Sequence, residues 1–338
     1  MIRLPFNLLS RESDPLHHFF QYSSHLREQA PIIHALIAQR RDSKREPVAI
    51  FDNGRITTIN ISQSFLKRVL YKGVERPDIC PYQLYRTDIT GQIQVPAGPS
   101  MMKGLYFEGQ LLGRSAGMKV SDLPRKLRDG GKTVDQERID SAIIQAQEVV
   151  EECEMVLNEE TVQVKGQRCW VDPELYYQRN GLTVFIKCTA DVISPFCCKS
   201  FGIAENLAVI DIKLTKDRDT DFINTSAPWT TFPWGIPSEM DPIQATLYSA
   251  VFELPFIFLI FDYRKENPGW KPVQVRTMHS HPNDPNARKQ FQILKHSIRS
   301  GIDMLLSWNR SGWKAIPGRQ CKQCVVENCA YYDKKESA

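Results

Sequence analysis

Leu207-Ala208-Val209-Ile210-Asp211-Ile212-Lys213-Leu214-Thr215 sets two charged residues inside an otherwise aliphatic run. β-Branched and aliphatic residues in such a run predict a strand. Alternate residues of a strand share a face, so Asp211 and Lys213 project together while Ile212 enters the opposite, buried side. In an earlier β-rich stretch, Val184 to Ser194 (VFIKCTADVIS), Asp191 ends the apolar run, twenty residues before Asp211. A hairpin-like return then brings the two acids together, with a loop holding Cys197, Cys198 and Gly202 between the runs.

Working outward, a helix is expected from about Pro242 to Glu253. Two further strands, FIFLIFDYR and PVQVRTM, precede a long helix from about Asn286 to Trp308. Upstream, Asp135 to Asn158 places Ile139, Ile143, Ala146, Val150 and Cys153 at spacings of three and four, an amphipathic helix. Another helix starts near Ser100 and passes through Gly104, Phe107 and Glu108. Glu75 to Ser100, rich in proline and glycine, is expected to be an irregular connection holding Cys80. Asp52-Asn53-Gly54 between PVAIF and RITTIN is a hairpin signal, and Ser62 precedes a helical segment. Residues 1–45 are expected to be helical; His17, His18, His25 and His34 there share no short metal-ligand spacing. Strands, helix, strands and helix in this order predict an α/β or α+β core around one mixed sheet.

Composition bounds the function. The chain has 338 residues, 42% hydrophobic and 24% charged, as globular proteins do, with a formal net charge of +4. That mild basicity permits nucleic-acid binding without requiring it. The longest apolar stretch, Leu247 to Phe261, is broken by Glu253 and Pro255 and falls short of a membrane span. The first residues lack a secretory apolar region, so a cytoplasmic location is expected. In a reducing compartment nine cysteines need a reason other than disulfides.

Two carboxylates converging on one point suit Mg²⁺ or Mn²⁺, which prefer hard oxygen ligands. Such a metal activates bound water and stabilises charge on a phosphate in flight, and a neighbouring lysine can position that water. An Asp-x-Lys strand alone is equally an edge-strand ion pair. Gln244 and Tyr248, four apart on the following helix and hence on one face, extend the pattern. Asp191, Asp211 with Lys213, and Gln244-x-x-x-Tyr248 together resemble motifs of the RecB-like branch of PD-(D/E)xK nucleases. The resemblance spans about residues 60–335. It implies a restriction-endonuclease-like core, metal held by the acids, water assisted by Lys213, and DNA contacted by Gln244 and Tyr248. It also implies a metal-binding residue on the earlier helix. Phe107 stands where many members carry histidine, and adjacent Glu108 resembles the glutamate of phage-type exonucleases; an ordinary surface acid is the competing reading.

Cys321-Lys322-Gln323-Cys324 followed by Cys329 has ligand-like spacing. Three thiolates complete neither a zinc site nor a four-iron cluster, and Cys80 is the expected fourth. One early and three late cysteines around the nuclease motifs are similar to CRISPR-associated RecB-like and AddB-type nucleases, where four hold a 4Fe–4S cluster; zinc is the alternative. The final interval is four residues here and five in those relatives. Cys153, Cys169 and Cys188 read as inert core residues. Cys197 and Cys198 face opposite ways and make a poor shared site. His279-x-His281 reads as a strand end rather than a ligand pair.

The expectation is thus a metal-dependent DNA exonuclease acting on single-stranded or frayed ends, with a helicase or integrase as candidate partner. Residues 1–60 form an accessory segment and 61–338 the nuclease domain. The competing classes are a non-catalytic DNA-end-binding module on the same fold and a zinc-stabilised protein adaptor.

Overall fold

The computed structural model describes residues 48–71, 74–75, 79–93, 99–113, 133–170, 181–215, 242–263 and 269–316, with 324, 326 and 329. The expected N-terminal helix, its four histidines and Cys321 lie outside the described residues.

The elements run in this order: β1 (Ala49–Asp52), β2 (Arg55–Ser62), α1 (Gln63–Val69), β3 (Leu70–Tyr71), β4 (Val74–Glu75) and α2 (Pro81–Leu84), which continues into a π-helical turn (Tyr85–Ile89). Next come α3 (Pro99–Leu112), α4 (Thr133–Glu152), β5 (Val162–Cys169), β6 (Thr183–Cys198), a 3-10 turn (Lys199–Phe201) and β7 (Ile203–Thr215). Then follow α5 (Pro242–Phe252), β8 (Phe256–Asp262), β9 (Trp270–Val275) and α6 (Pro285–Arg310). The protein is mixed α/β, with a central mixed sheet flanked by helices.

Two compact units divide the described residues, one holding 99–166 and 188–291, the other 48–93, 167–187 and 292–329. In the first, β6 and β7 pair antiparallel, β7 and β8 parallel, and β8 and β9 antiparallel. The connection from β7 to β8 contains α5, as a parallel crossover requires. In the second, β1 and β2 form the expected hairpin, and β2 runs parallel to β6 at Thr183–Lys187. Asn53 and Gly54 both take positive φ, 48° and 77°, as a tight hairpin turn requires of its two central residues. Ser62 caps α1, its hydroxyl accepting from Phe65 N at 3.2 Å.

The core of the first unit forms because α4 has the predicted period. Ile139, Ala142, Ile143, Ala146 and Val149 pack in one cluster with Ile210, Ile212, Ile257, Leu259 and Phe261. Val149, not the expected Val150, takes the fully buried place, since Val150 is only partly covered. Ile212 is buried on this side, so Asp211 is directed to the other face, as alternation predicts.

Three expectations need correction. Cys197 and Cys198 belong to strand β6 rather than a loop, and Asp191 sits within that strand, not at its end. Pro195 cannot donate to the ladder, and a register shift between Ser194 and Phe196 carries the strand past it. The connection after Glu75 is not wholly irregular: Cys80 stands at the N-cap of α2 with Pro81 following. Arg68 forms an ion pair with buried Asp88, and its Nη2 donates to Thr87 Oγ1 at 3.1 Å, anchoring the turn that follows. Strand β5 answers no element expected from the sequence. Among the described residues, no helix is long and apolar enough to cross a membrane.

Candidate active site

Register assembles the site. Val192 pairs with Ile210 across β6 and β7, so one step further Asp191 and Asp211 come opposite each other. There a side chain takes over from the ladder: Ile212 N–H donates to Asp191 Oδ2 at 2.8 Å. Asp211 is 2% exposed, and its Oδ2 forms an ion pair with the Lys213 ammonium. Its Oδ1 accepts from Gln244 Nε2 at 2.6 Å. The strand therefore presents Asp211 and Lys213 on one face, and α5 supplies the amide that fixes the acid.

Helix α5 is held over that face by two contacts. Tyr248, one turn after Gln244, packs edge-on against Phe256, with ring centroids 5.9 Å apart. Phe256 packs edge-on against Phe258, and Phe258 pairs with Asp211 in the parallel ladder. One turn beyond Tyr248, α5 meets β5 at Gly166, where an added Cβ would lie 2.6 Å from the Phe252 ring and 2.8 Å from Val251. Only a residue without a side chain lets the helix settle there. An isolated glycine in a strand-like run is a sequence signal of close backbone approach, so Gly166 was legible although the sequence reading passed over it.

Glu108 reaches the same cluster from α3. Phe107 beside it is fully buried, its ring 5.3 Å from that of Phe261. Phe107 is thus a core residue, and Glu108 is the acid that faces the charges. Burial pushes the Glu108 carboxyl up to about 7, the Lys213 charge opposing and the Asp211 charge adding to the rise. Burial and the neighbouring Asp211 charge hold Asp191 well above the usual carboxylate range. Burial also raises Asp211, against the pull of Lys213 and the Gln244 hydrogen bond. Burial opposes the Lys213 charge, but Asp211 and Asp191 outweigh it and raise the ammonium above its ordinary range. The Tyr248 phenol is raised by desolvation and stays a neutral donor.

Three mutually repelling carboxylates against one ammonium leave an excess of two negative charges when all are ionised. Such an all-oxygen, low-dielectric donor set fits a hard divalent cation in chemistry and charge. The fit is one of charge and donor type, because among the described residues no three His, Cys, Asp or Glu side chains stand ready-grouped as a metal site.

The remaining candidates fall elsewhere. Cys80 and Cys324 are buried, Cys329 is partly exposed, and all three belong to the second unit. Val326 N–H donates to Cys324 Sγ at 3.4 Å. Cys153 hydrogen-bonds Cys198, and burial raises its thiol; burial pushes Cys169 up to about 11. These are the properties of unreactive core thiols. Cys188, also buried, interacts electrostatically with the Tyr248 phenol, a proximity the sequence gave no sign of. His281 lies in the turn after β9, its Nδ1 2.9 Å from Ser280 Oγ.

No family model matches the chain, and no curated protein matches it. Several solved chains are similar, two of them at low identity as follows. One, SSO0001, is 12% identical with a TM-score of 0.34, over 90% of this chain and 96% of that one. The other, a "Putative exonuclease" from Eubacterium rectale, is 14% identical with a TM-score of 0.40, over 82% and 94% respectively.

Proposed function

We propose that this chain is a divalent-metal-dependent DNA nuclease of the RecB-like PD-(D/E)xK class, acting on single-stranded or frayed ends. The observation that carries the reading is the convergence on Asp211: Asp191 opposite it, Lys213 in ion pair with it, and Gln244 bonded to it. A structural ion pair needs neither a second acid opposed to the first nor a third carboxylate, Glu108, brought to the same charges.

Asp191, Asp211 and Glu108 would hold the Mg²⁺ or Mn²⁺, which when bound supplies an activated water and charge neutralisation at the phosphate. Lys213 presents an ammonium at Asp211, placed to orient a water or to donate to a phosphate oxygen as negative charge develops. Gln244 keeps Asp211 from rotating away. Tyr248 offers a neutral phenol and a ring edge to a strand lying along α5, suited to hydrogen bonding or base stacking. Cys80, Cys321, Cys324 and Cys329 would hold a 4Fe–4S cluster, with zinc the alternative, and the Val326 amide would donate to one ligand sulfur. The expected setting is cytoplasmic DNA processing, with a helicase or integrase as partner.

Anaerobically purified protein incubated with end-labelled single- and double-stranded DNA, in Mn²⁺ or EDTA, tests the reading. Metal-dependent shortening is expected. Cleavage that persists in EDTA overturns it. Binding without cleavage converts the chain into a DNA-end-binding module.

A further inference from the structure

The turn between β9 and α6 concentrates positive charge beside the site. Gly269 to Phe291 contains Lys271, Arg276, Arg288 and Lys289 with a single carboxylate, Asp284, and two histidines, His279 and His281. The Arg276 side chain is 62% exposed, and Arg288 and Lys289 are exposed. Asp284 is already occupied: its Oδ1 accepts from Asn286 N at 2.7 Å and Ala287 N at 3.2 Å, capping α6. The attraction of this surface therefore lies in its side chains, not in the helix terminus.

Two arginines are held in fixed orientation. Arg276 Nη1 lies 3.3 Å from Asp284 Oδ2. Arg288 Nε donates to Pro282 O at 3.0 Å, and its Nη2 to Asn283 Oδ1 at 3.4 Å. A guanidinium carries five N–H donors, so both retain donors for another acceptor. The turn is joined to the site helix. Thr277 Oγ1 lies 2.7 Å from Ser249 Oγ, the residue after Tyr248, and His281 N–H donates to Thr277 O at 2.7 Å. Val275, where β9 ends, pairs with Phe256 beneath the Tyr248 ring. Strand spacing and rise put it roughly 12 Å from Asp211.

The other side of the sheet has the opposite sign. Glu137 to Glu160, running along α4 and the loop beyond, contains eight carboxylates against Arg138 alone. It packs on the Ile210 and Ile212 side, away from Asp211. A polyanion is repelled there and drawn toward the β9–α6 turn. Planar guanidinium forks with a lysine beside them match phosphate oxygens.

We infer that Arg276, Arg288 and Lys289 form a docking surface for the phosphodiester backbone of the strand that occupies the Asp211 site; this rests on the nuclease reading. The contacts are to phosphates, so they set affinity and register rather than sequence preference.

The test measures binding of a short labelled oligothymidylate across a salt series, using the full chain with Asp211→Asn to prevent cleavage. Adding Arg276→Gln, Arg288→Gln and Lys289→Gln should lower the slope of log affinity against log salt by about 2, since each single-strand phosphate contact contributes about 0.7. Affinity in moderate salt should fall about tenfold or more. The lysine variants Arg276→Lys and Arg288→Lys, which keep the charge, should retain most of the slope. With Asp211 intact, the triple glutamine variant should need about tenfold more DNA for half-maximal cleavage. An unchanged slope in a folded triple variant overturns the docking surface, as does equal loss in the lysine variants. A chain that neither binds nor cleaves DNA defeats the nuclease reading itself, whereas cleavage with an unchanged slope defeats only this inference.

Discussion

The carboxylate–lysine cluster and the cysteine set proposed as cluster ligands differ in how far apart their members lie in the chain. Asp191 and Asp211 are twenty residues apart and meet through the pairing of adjacent strands, a pairing that the apolar face of those strands fixes. Cys80 and Cys321 are 241 positions apart in the chain, and among the described residues no strand pairing joins Cys80 to the C-terminal cysteines. Closing so long a loop costs about 5 kcal/mol by the logarithmic estimate. The first region is therefore a product of the sheet and should survive the loss of any one functional side chain. The second, on the reading proposed here, takes part of its stability from what its thiolates bind.

Asp211→Asn gives the sharpest separation of the two. It keeps the shape and the Gln244 contact but removes the charge, so cleavage should fall on the order of 10³-fold, as losing a group that acts on transition-state charge does. Iron or zinc content and thermal midpoint should stay near those of the parent. Lys213→Ala should lower cleavage by about 10² to 10³ for the same reason. Full activity in either variant would remove the cluster from the chemistry.

Cys80→Ala and Cys324→Ala should do the converse. Metal content should drop and the thermal midpoint fall by several degrees, the chemistry being lost only through unfolding. Equal metal content and equal stability in both variants would mean that the two ends of the chain are joined by packing alone.

Gly166→Ala probes the link between packing and chemistry. The new methyl meets the Phe252 ring and Val251 at less than contact distance, an overpacking that costs about 1–3 kcal/mol. Displacement of α5 would loosen Gln244 from Asp211, so cleavage should fall about tenfold, a sensitivity typical of small misplacements at reacting groups. Undiminished activity with the full stability loss would show that Gln244 does not position Asp211.

Glu108→Gln has the smallest expected effect, and its clearest readout is pH. In the metal-free protein the Glu108 carboxyl is raised from 4.5 to about 7. Between those values the folded protein holds a proton that the unfolded chain releases, so Glu108 makes stability fall as pH rises. Below 4.5 both states are protonated, and above about 7 both are ionised with the full cost present. The glutamine variant should flatten that slope, and denaturation followed across this window checks it. An unchanged slope would return Glu108 to the status of a surface acid.

Much of the site was legible because strands impose a period of two. Asp211 and Lys213 share a face, Ile212 faces the core, and Gln244 and Tyr248 lie one turn apart on the following helix, all as the sequence predicts. The amphipathic α4 was legible from the helical spacing of three and four, apart from the exchange of Val150 for Val149. Local chemistry misled where tertiary contacts overrode it. The run from Val184 was expected to give way to a loop after Ser194, where a bulge carries the strand on to Cys198. The composition after Glu75 suggested a loop, where Arg68 and Asp88 anchor a helical turn.

From the sequence by itself came the mixed α/β class, the hairpin at Asn53-Gly54 and the residues of the acidic cluster, because turn chemistry and hydrophobic period act over a few neighbours. The contacts among those residues were a tertiary matter. That Ile212 N–H bonds Asp191 depends on the register between β6 and β7, while the meeting of Gln244 with Asp211 and the placing of Phe107 in the core with Glu108 toward the charges depend on helices crossing the sheet at particular places. So does the linking of Ser249 to Thr277, which ties the basic turn to the site helix. Such placements follow from close packing against residues remote in the chain, as with Gly166 beneath Phe252, and no window of sequence contains both partners.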